Sequence, residues 1–157
     1  MDLVEHRRLL NRKGSDNVKE WVKVFDGNIT EITKTINFNK LPSGESFEFD
    51  EVVFEIKPVL NNTGSFVVSG ITTGIALTTA NTSADTALSI SGHMTVNPIG
   101  IEGIVISENK NGSIKSEIPN YFNKYSRLSG KITSISFYST TSASNFTTDT
   151  TILIYGR

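Results

Sequence analysis

Between Val18 and Tyr155 the apolar residues recur at every second position in run after run, and a chain patterned this way is confined to strands. The clearest run is ALSISGHMTVN. There Leu88, Ile90, Met94 and Val96 fall on one face, and Ser89, Ser91, His93 and Thr95 on the other. SFVVSGI, GIALTT, IEGIVIS, GSIKSEI, KITSISFYS and TTILIYG continue the pattern, separated by Gly, Asn and Pro turn residues. Threonine is plentiful in these runs, and its branched Cβ suits a half-buried pleated surface. About nine or ten short strands in one chain predict an all-β fold, an antiparallel β-sandwich of jelly-roll type. At 157 residues a single core is large enough to hold without metals or disulfides.

The first strands carry the most local detail. In VKEWVKVFD, Val18, Val22 and Val24 share one face, and Trp21 and Phe25 share the other with Lys19 and Lys23. Asp26-Gly27 is a strong signal for a tight hairpin turn. The return run ITEITKTINF then groups Ile32, Ile36 and Phe38. In FEFDEVVFEI the apolar phase is odd at Phe47 and Phe49 and even at Val52, Phe54 and Ile56. That slip at Asp50-Glu51 predicts a bulge or corner where the chain passes between sheets.

Residues 1–17 read differently from residues 18–157. Asp2 and Glu5 have capping-box spacing, Arg12 and Lys13 stand where a helix C-terminus favours cations, and Gly14 supplies a stop. Leu3 and Leu10, with Val4 beside them, make one apolar stripe. A helix this short is marginal alone in water, so it packs either on its own domain or on a neighbouring subunit, and Leu3, Val4 and Leu10 are the candidate docking residues for the second case.

Most catalytic chemistry lacks its equipment. The chain has no cysteine, which removes thiolate catalysis, disulfides and Cys-ligated zinc together. Its two histidines, His6 and His93, show neither zinc-ligand spacing nor a Gly-x-Ser-x-Gly companion, and both read as exposed surface histidines. Glu45, Glu48, Asp50, Glu51 and Glu55 place carboxylates on both faces of one run, which reads as a solvated edge strand rather than a glycosidase pair. Neither phosphate-binding glycine motif is present. A net charge of −1 gives no general footprint for nucleic acid, and no apolar stretch approaches the ~18–20 residues that cross a bilayer. The expectation is a non-enzymatic protein with no cofactor, no metal, no nucleic-acid partner and no membrane insertion. Trp21, Tyr121 and Tyr125 remain as candidate contacts for a glycan or a partner, since sugar rings stack on flat aromatic faces.

The terminal run TTILIYGR sets Ile152 and Ile154 on one face and Leu153 and Tyr155 on the other. A strand apolar on both faces asks for cover on both, and a two-sheet sandwich covers one. The N-terminal helix or a second copy of the chain could supply the other cover; the second is favoured, so Leu153 and Tyr155 are candidate oligomer contacts and a homo-oligomer is expected.

Two stretches carry a resemblance. ITSISFYSTTSASNFTTDTTILIYGR resembles the end of many phage tail and baseplate structural proteins: a strand, a polar loop with Asn145-Phe146, then Thr-x-Ile-x-Ile-Tyr-Gly. EWVKVFDGNITEITKTINFNKLPSGESFEFDEVVFEI resembles the start of the same type of domain, with a Trp-bearing strand and an Ile-x-Phe-x-x-Leu-Pro stretch leading into the next strand. Residues of roughly 60–130, and the N-terminal helix, lie outside it. The resemblance implies a β-sandwich subunit of a bacteriophage virion, in the tail, baseplate or fibre apparatus, assembled in the bacterial cytoplasm. Its partners would be other virion proteins and, where it faces the host, a cell-surface glycan. A head fibre or capsid-decorating protein is a close variant. A free carbohydrate-binding module is the alternative from another class. By analogy with fibres, the homo-oligomer would be a trimer.

Overall fold

The structure, a computed structural model, describes residues 19–62, 64–70, 76–82, 88–98, 100–111, 114–125 and 130–157. The helix expected near the N-terminus, with Leu3, Val4, His6 and Leu10, lies outside these residues. Among the described residues ten strands form: β1 (Val22–Asn28), β2 (Thr35–Phe38), β3 (Glu51–Lys57), β4 (Gly64–Gly70), β5 (Ala76–Thr82), β6 (Leu88–Asn97), β7 (Gly100–Asn111), β8 (Ile114–Tyr125), β9 (Ile135–Ser139) and β10 (Thr151–Gly156). They make two sheets, β1-β10-β3-β6-β7-β8 and β2-β9-β4-β5, and every pairing is antiparallel. The protein is all-β, with no helix among the described residues.

The pairings nest. β1 pairs with β10, β2 with β9, β3 with β6 and β4 with β5, and successive members of this series alternate between the two sheets. The hairpin β7–β8 is added outside β6 and widens the first sheet.

Strand alternation fills one core from both sheets. The first sheet contributes Val52, Phe54 and Ile56 of β3, Ile90 and Met94 of β6, Ile101 and Val105 of β7, and Ile152 and Ile154 of β10. Ile36 of β2 and Ile135 and Phe137 of β9 come from the second, and the Phe54 and Phe137 rings meet with centroids 5.7 Å apart at 65°. Phe47, Phe49, Ile132 and Phe146, all in connections, close the remaining volume. Each such side chain contributes about 1.5–3 kcal/mol on burial, so the connections stabilise the fold as the strands do.

The phase slip at Asp50-Glu51 is a bulge: the amides of both residues donate to the one carbonyl of Arg157, two positions opposite one, and Glu51 then opens β3 in the first sheet. Several local expectations fail. Asp26-Gly27 makes no hairpin turn. β1 runs through it, pairing Asp26 with Leu153 and Gly27 with Ile152, and Gly27 takes φ 150° within the strand. A bulge between Lys23 and Phe25 turns Val24 into the core with Phe25 packed beside it, while Val22 stays 44% exposed. Ile32 likewise parts from Ile36 and Phe38. It sits in the connection to β2, 62% exposed. Nor is β3 an edge strand, since β10 and β6 flank it and its carboxylates must be met in other ways.

Gly92 marks one of the tight points of the core. It pairs with Phe54, and a Cβ at position 92 would lie 2.3 Å from Phe54 Cε1. That ring is fully enclosed and braced against Phe137, so it has nowhere to go. Gly92→Ala is expected to destabilise the protein by about 1–3 kcal/mol through overpacking. Urea unfolding, with Ser91→Ala on the opposite face as the neutral comparison, measures it. Equal midpoints for the two variants would show that Phe54 can yield.

Candidate functional site

The most elaborate group of polar side chains lies on the face of the first sheet that points away from the core. β10 continues its pairing with β3 one residue further. Arg157 N–H donates to the Glu51 carbonyl at 2.9 Å, and the Arg157 carbonyl accepts from Asp50 N–H at 2.8 Å and Glu51 N–H at 3.1 Å. Because Val52 and Gly156 point inward, Glu51 and Arg157 both project outward. The Arg157 Nε donates to Glu51 Oε2 at 2.5 Å, and its guanidinium carbon stands 4.9 Å from the centroid of the Trp21 ring. The other carboxylate oxygen, Oε1, is hydrogen-bonded by His93 Nε2 from β6. An ionised carboxylate only accepts, so Nε2 carries the proton in this contact.

Glu51 is thus a carboxylate only 9% exposed on the outside of a sheet, with both oxygens engaged. Burial alone pushes its acidity the wrong way, raising the pKa. Hydrogen bonds from His93 and Arg157, and their charges, outweigh that and hold it below the ordinary 4.5. Its neighbour Asp50 is held in a similar way. Lys131 and Lys19 each reach one of its oxygens and lower its pKa, and the Asp50 contact raises that of Lys19. Asp50 and its lysines lie near solvent, where such pairs contribute little to stability.

This cluster departs from the sequence reading of its members. His93 is not a bare surface histidine. Its side chain is 30% exposed and bonded to Glu51. Glu51 is not a solvated edge charge. The contact depends on β3 lying beside β6, with Val53 opposite His93, and no local pattern in the sequence carries that pairing.

The other candidates are dispersed. Trp21 is half-buried just before β1, with Arg157 over its ring, whereas Tyr121 is 77% exposed on β8. β1 and β8 are opposite edges of the six-stranded sheet, five strand spacings or about 24 Å apart, so Trp21 and Tyr121 do not form one surface. Tyr125 ends β8, where its backbone pairs with Gly100. Leu153 and Tyr155 are half-buried on the outward face of β10, opposite to Ile152 and Ile154. Leu153 stands between Asp26 and Glu55, and Tyr155 between Lys23 and Val53. Among the described residues no three His, Cys, Asp or Glu side chains converge as a metal site, and no helix is long and apolar enough to cross a membrane.

Chemically the cluster is built to hold. Each oxygen of Glu51 accepts one hydrogen bond, Oε1 from β6 and Oε2 from β10, so the carboxylate ties three neighbouring strands together. Comparison with known proteins gives no match among family models, curated proteins or solved structures.

Glu51 gives a pH prediction whose sign follows from its lowered pKa. Its contribution to stability is present above the carboxyl's ordinary value and is lost as pH falls through its lower value in the folded protein. Thermal unfolding from pH 7 down to pH 3, followed by fluorescence of Trp21, the chain's one tryptophan, reads this directly. Glu51→Gln is expected to lower the neutral-pH melting temperature and flatten the acid limb. The same acid limb in the variant and the parent would assign the acid sensitivity to other carboxylates.

Proposed function

We propose that this chain is a non-enzymatic structural subunit of a bacteriophage particle, in the tail, baseplate or fibre apparatus, built on a jelly-roll β-sandwich. The observation that carries this reading is the strand order. Without the added hairpin β7–β8, the sheets are β1-β10-β3-β6 and β2-β9-β4-β5, a nested hairpin rolled so that successive pairs alternate between sheets. This is the arrangement expected of an eight-stranded jelly roll, an architecture that viral capsid and lectin domains use. Contact between Phe54 and Phe137 across the sheets supports the sandwich. The two stretches that resemble phage tail and baseplate proteins also come together. They supply β1, β3 and β10 as neighbours in one sheet and β2 and β9 as neighbours in the other. From fold to function the step is one of analogy, because one architecture serves many roles.

The same architecture would serve a free carbohydrate-binding module. Against that reading, Arg157 already occupies the Trp21 ring, and Trp21 and Tyr121 lie at opposite edges of the sheet. Host-surface attachment, if the subunit performs it, would fall to Tyr121 on the outer hairpin rather than to a Trp21-centred platform.

Particles purified from a lysate of cells that carry the gene test the reading by quantitative mass spectrometry and immunogold labelling. The chain is expected at a fixed ratio to the major tail proteins, with label on the tail or its tip. Label on the head would move the subunit to a head fibre or decorating role. A chain found only in the particle-free fraction, and retained on a glycan array through Tyr121, would replace the particle reading with the binding module.

A further inference from the structure

We infer that residues 19–21 form an ionic strap, which fastens the chain ahead of β1 to the bulge at Asp50-Glu51 and lets go in acid or high salt while the sheets stay folded. The inference does not depend on the particle reading. Backbone pairing stops short of this segment. The ladder between β1 and β10 ends at Val22 and Gly156. The N–H and carbonyl of the next residue, Arg157, both turn to β3, where they meet Glu51. Arg157 therefore offers Trp21 no ladder bond, and Lys19, Glu20 and Trp21 lie outside every strand among the described residues.

Side chains hold the segment instead. Lys19 pairs with one oxygen of Asp50, whose other oxygen is taken by Lys131. Two residues on, the Trp21 ring carries the Arg157 guanidinium 4.9 Å from its centroid, and that guanidinium donates to Glu51 Oε2 at 2.5 Å. The bulge makes both contacts possible together. In a regular strand Asp50 and Glu51 would point to opposite faces. Here the two stand opposite the single Arg157, and Phe49 and Val52 on either side of them both belong to the core. Two carboxylates are thereby set side by side, one for Lys19 and one for the arginine that covers Trp21.

Contacts of this kind are individually weak. Lys19 and Asp50 have side chains 61% and 44% exposed, within reach of screening by salt. The arginine over Trp21 is a cation–π contact near the surface, and Glu51 is what holds its guanidinium there. Acid acts on the same two carboxylates. Lys131 and Lys19 hold Asp50 below its ordinary pKa. Burial pushes Glu51 up, and His93 of β6 and Arg157 outweigh it and hold Glu51 low. The attraction of Asp50 for Lys19 and of Glu51 for Arg157 is therefore complete above the ordinary carboxyl range. It is lost as pH falls through the lower values of the folded protein. The adjoining charges are Glu20 and Glu48, both exposed, Lys23 with its partner Asp26, and Glu102 of β7, which stands opposite Thr95, the residue paired with Glu51. Residues 1–18 precede the strap, so its release frees the point at which they join the domain.

Acrylamide quenching of Trp21 fluorescence in the full chain, well below the unfolding temperature, reads the strap, because this is the chain's one tryptophan. Circular dichroism of the same samples reads the sheets, and tryptophanamide in the same buffers corrects for the effect of salt on quenching itself. At pH 7 the quenching constant is expected to rise roughly twofold between ~0.01 M and ~1 M sodium chloride, as the Debye length shrinks from about 30 Å to about 3 Å, with the dichroism unchanged. A similar rise is expected on acidification, ahead of any loss of β signal. Lys19→Ala is expected to show the raised constant already at low salt, with an unchanged melting temperature. Lys23→Ala, which removes the neighbouring pair with Asp26, is expected to follow the parent. A parent constant indifferent to salt, a rise in salt or acid that comes only with loss of β signal, or a Lys19→Ala variant that behaves as the parent would each overturn the inference.

Discussion

Placing β10 between β1 and β3 is the constraint on which the rest of the first sheet depends. Six residues pair on both sides, Thr151–Gly156 against Asn28–Val22 and against Lys57–Val52. The ladder joins positions more than a hundred residues apart, as in the bond from Arg157 to Glu51. Loop-closure cost grows only slowly with length, so a contact this distant is affordable once both strands bury an apolar face. Ile152 and Ile154 supply that face, and both are buried. Everything outward then follows from register. Tyr155 falls beside Val53, Leu153 beside Glu55, and Arg157 reaches Glu51 and Trp21.

The engaged carboxylate has a part in holding that register. Taking a charged group from water is costly, and a buried ion pair often gives no net stability over apolar groups of the same volume. Glu51 has a different use here. It binds β6 through His93 and β10 through Arg157, and both bonds exist in one alignment only. A slip of one residue in either ladder would turn every core side chain of that strand outward and also strip Glu51 of its donors. Apolar alternation specifies which face is buried. The cluster adds which residue stands opposite which.

The strands were legible because period-two patterning is a local property. β4, β6, β7, β9 and β10 fall within or against the runs SFVVSGI, ALSISGHMTVN, IEGIVIS, KITSISFYS and TTILIYG, and the bulge at Asp50-Glu51 shows as a change of phase. β1 was misread because Asp26-Gly27 is a strong turn signal in isolation. Pairing with Leu153 and Ile152 overrides it, and the glycine instead supplies a positive φ inside a strand. β8 was cut short at Ile118 because Pro119 looks like a break. In an edge strand its missing N–H is tolerated, and pairing continues to Tyr125. The cluster at Glu51 was illegible for a deeper reason. His93 and Glu51 are 42 residues apart, and only the order β10-β3-β6 makes them neighbours. Phe49 and Val53, two positions to either side of Glu51, were the one hint that this carboxylate would be enclosed.

Edges and faces divide the work of limiting association. β8 is twelve residues long and borders the first sheet, so its outer backbone groups are a ready template for another strand. Pro119 interrupts that template by removing a donor near its middle, and the proline is exposed where an added strand would lie. Strand-to-strand growth from this edge is thereby disfavoured, and with it the open-ended addition of chain after chain. The outward face is restrained differently. Glu51 is held there by His93 and Arg157 and Glu55 by Lys57, and of the apolar rows that run from Tyr155 to Tyr121 and through Leu153 and Ile106, only Tyr121 is strongly exposed. Apolar groups lying low between paired charges give a neighbouring sheet little to bury, so the face discourages adventitious stacking as the proline discourages strand addition.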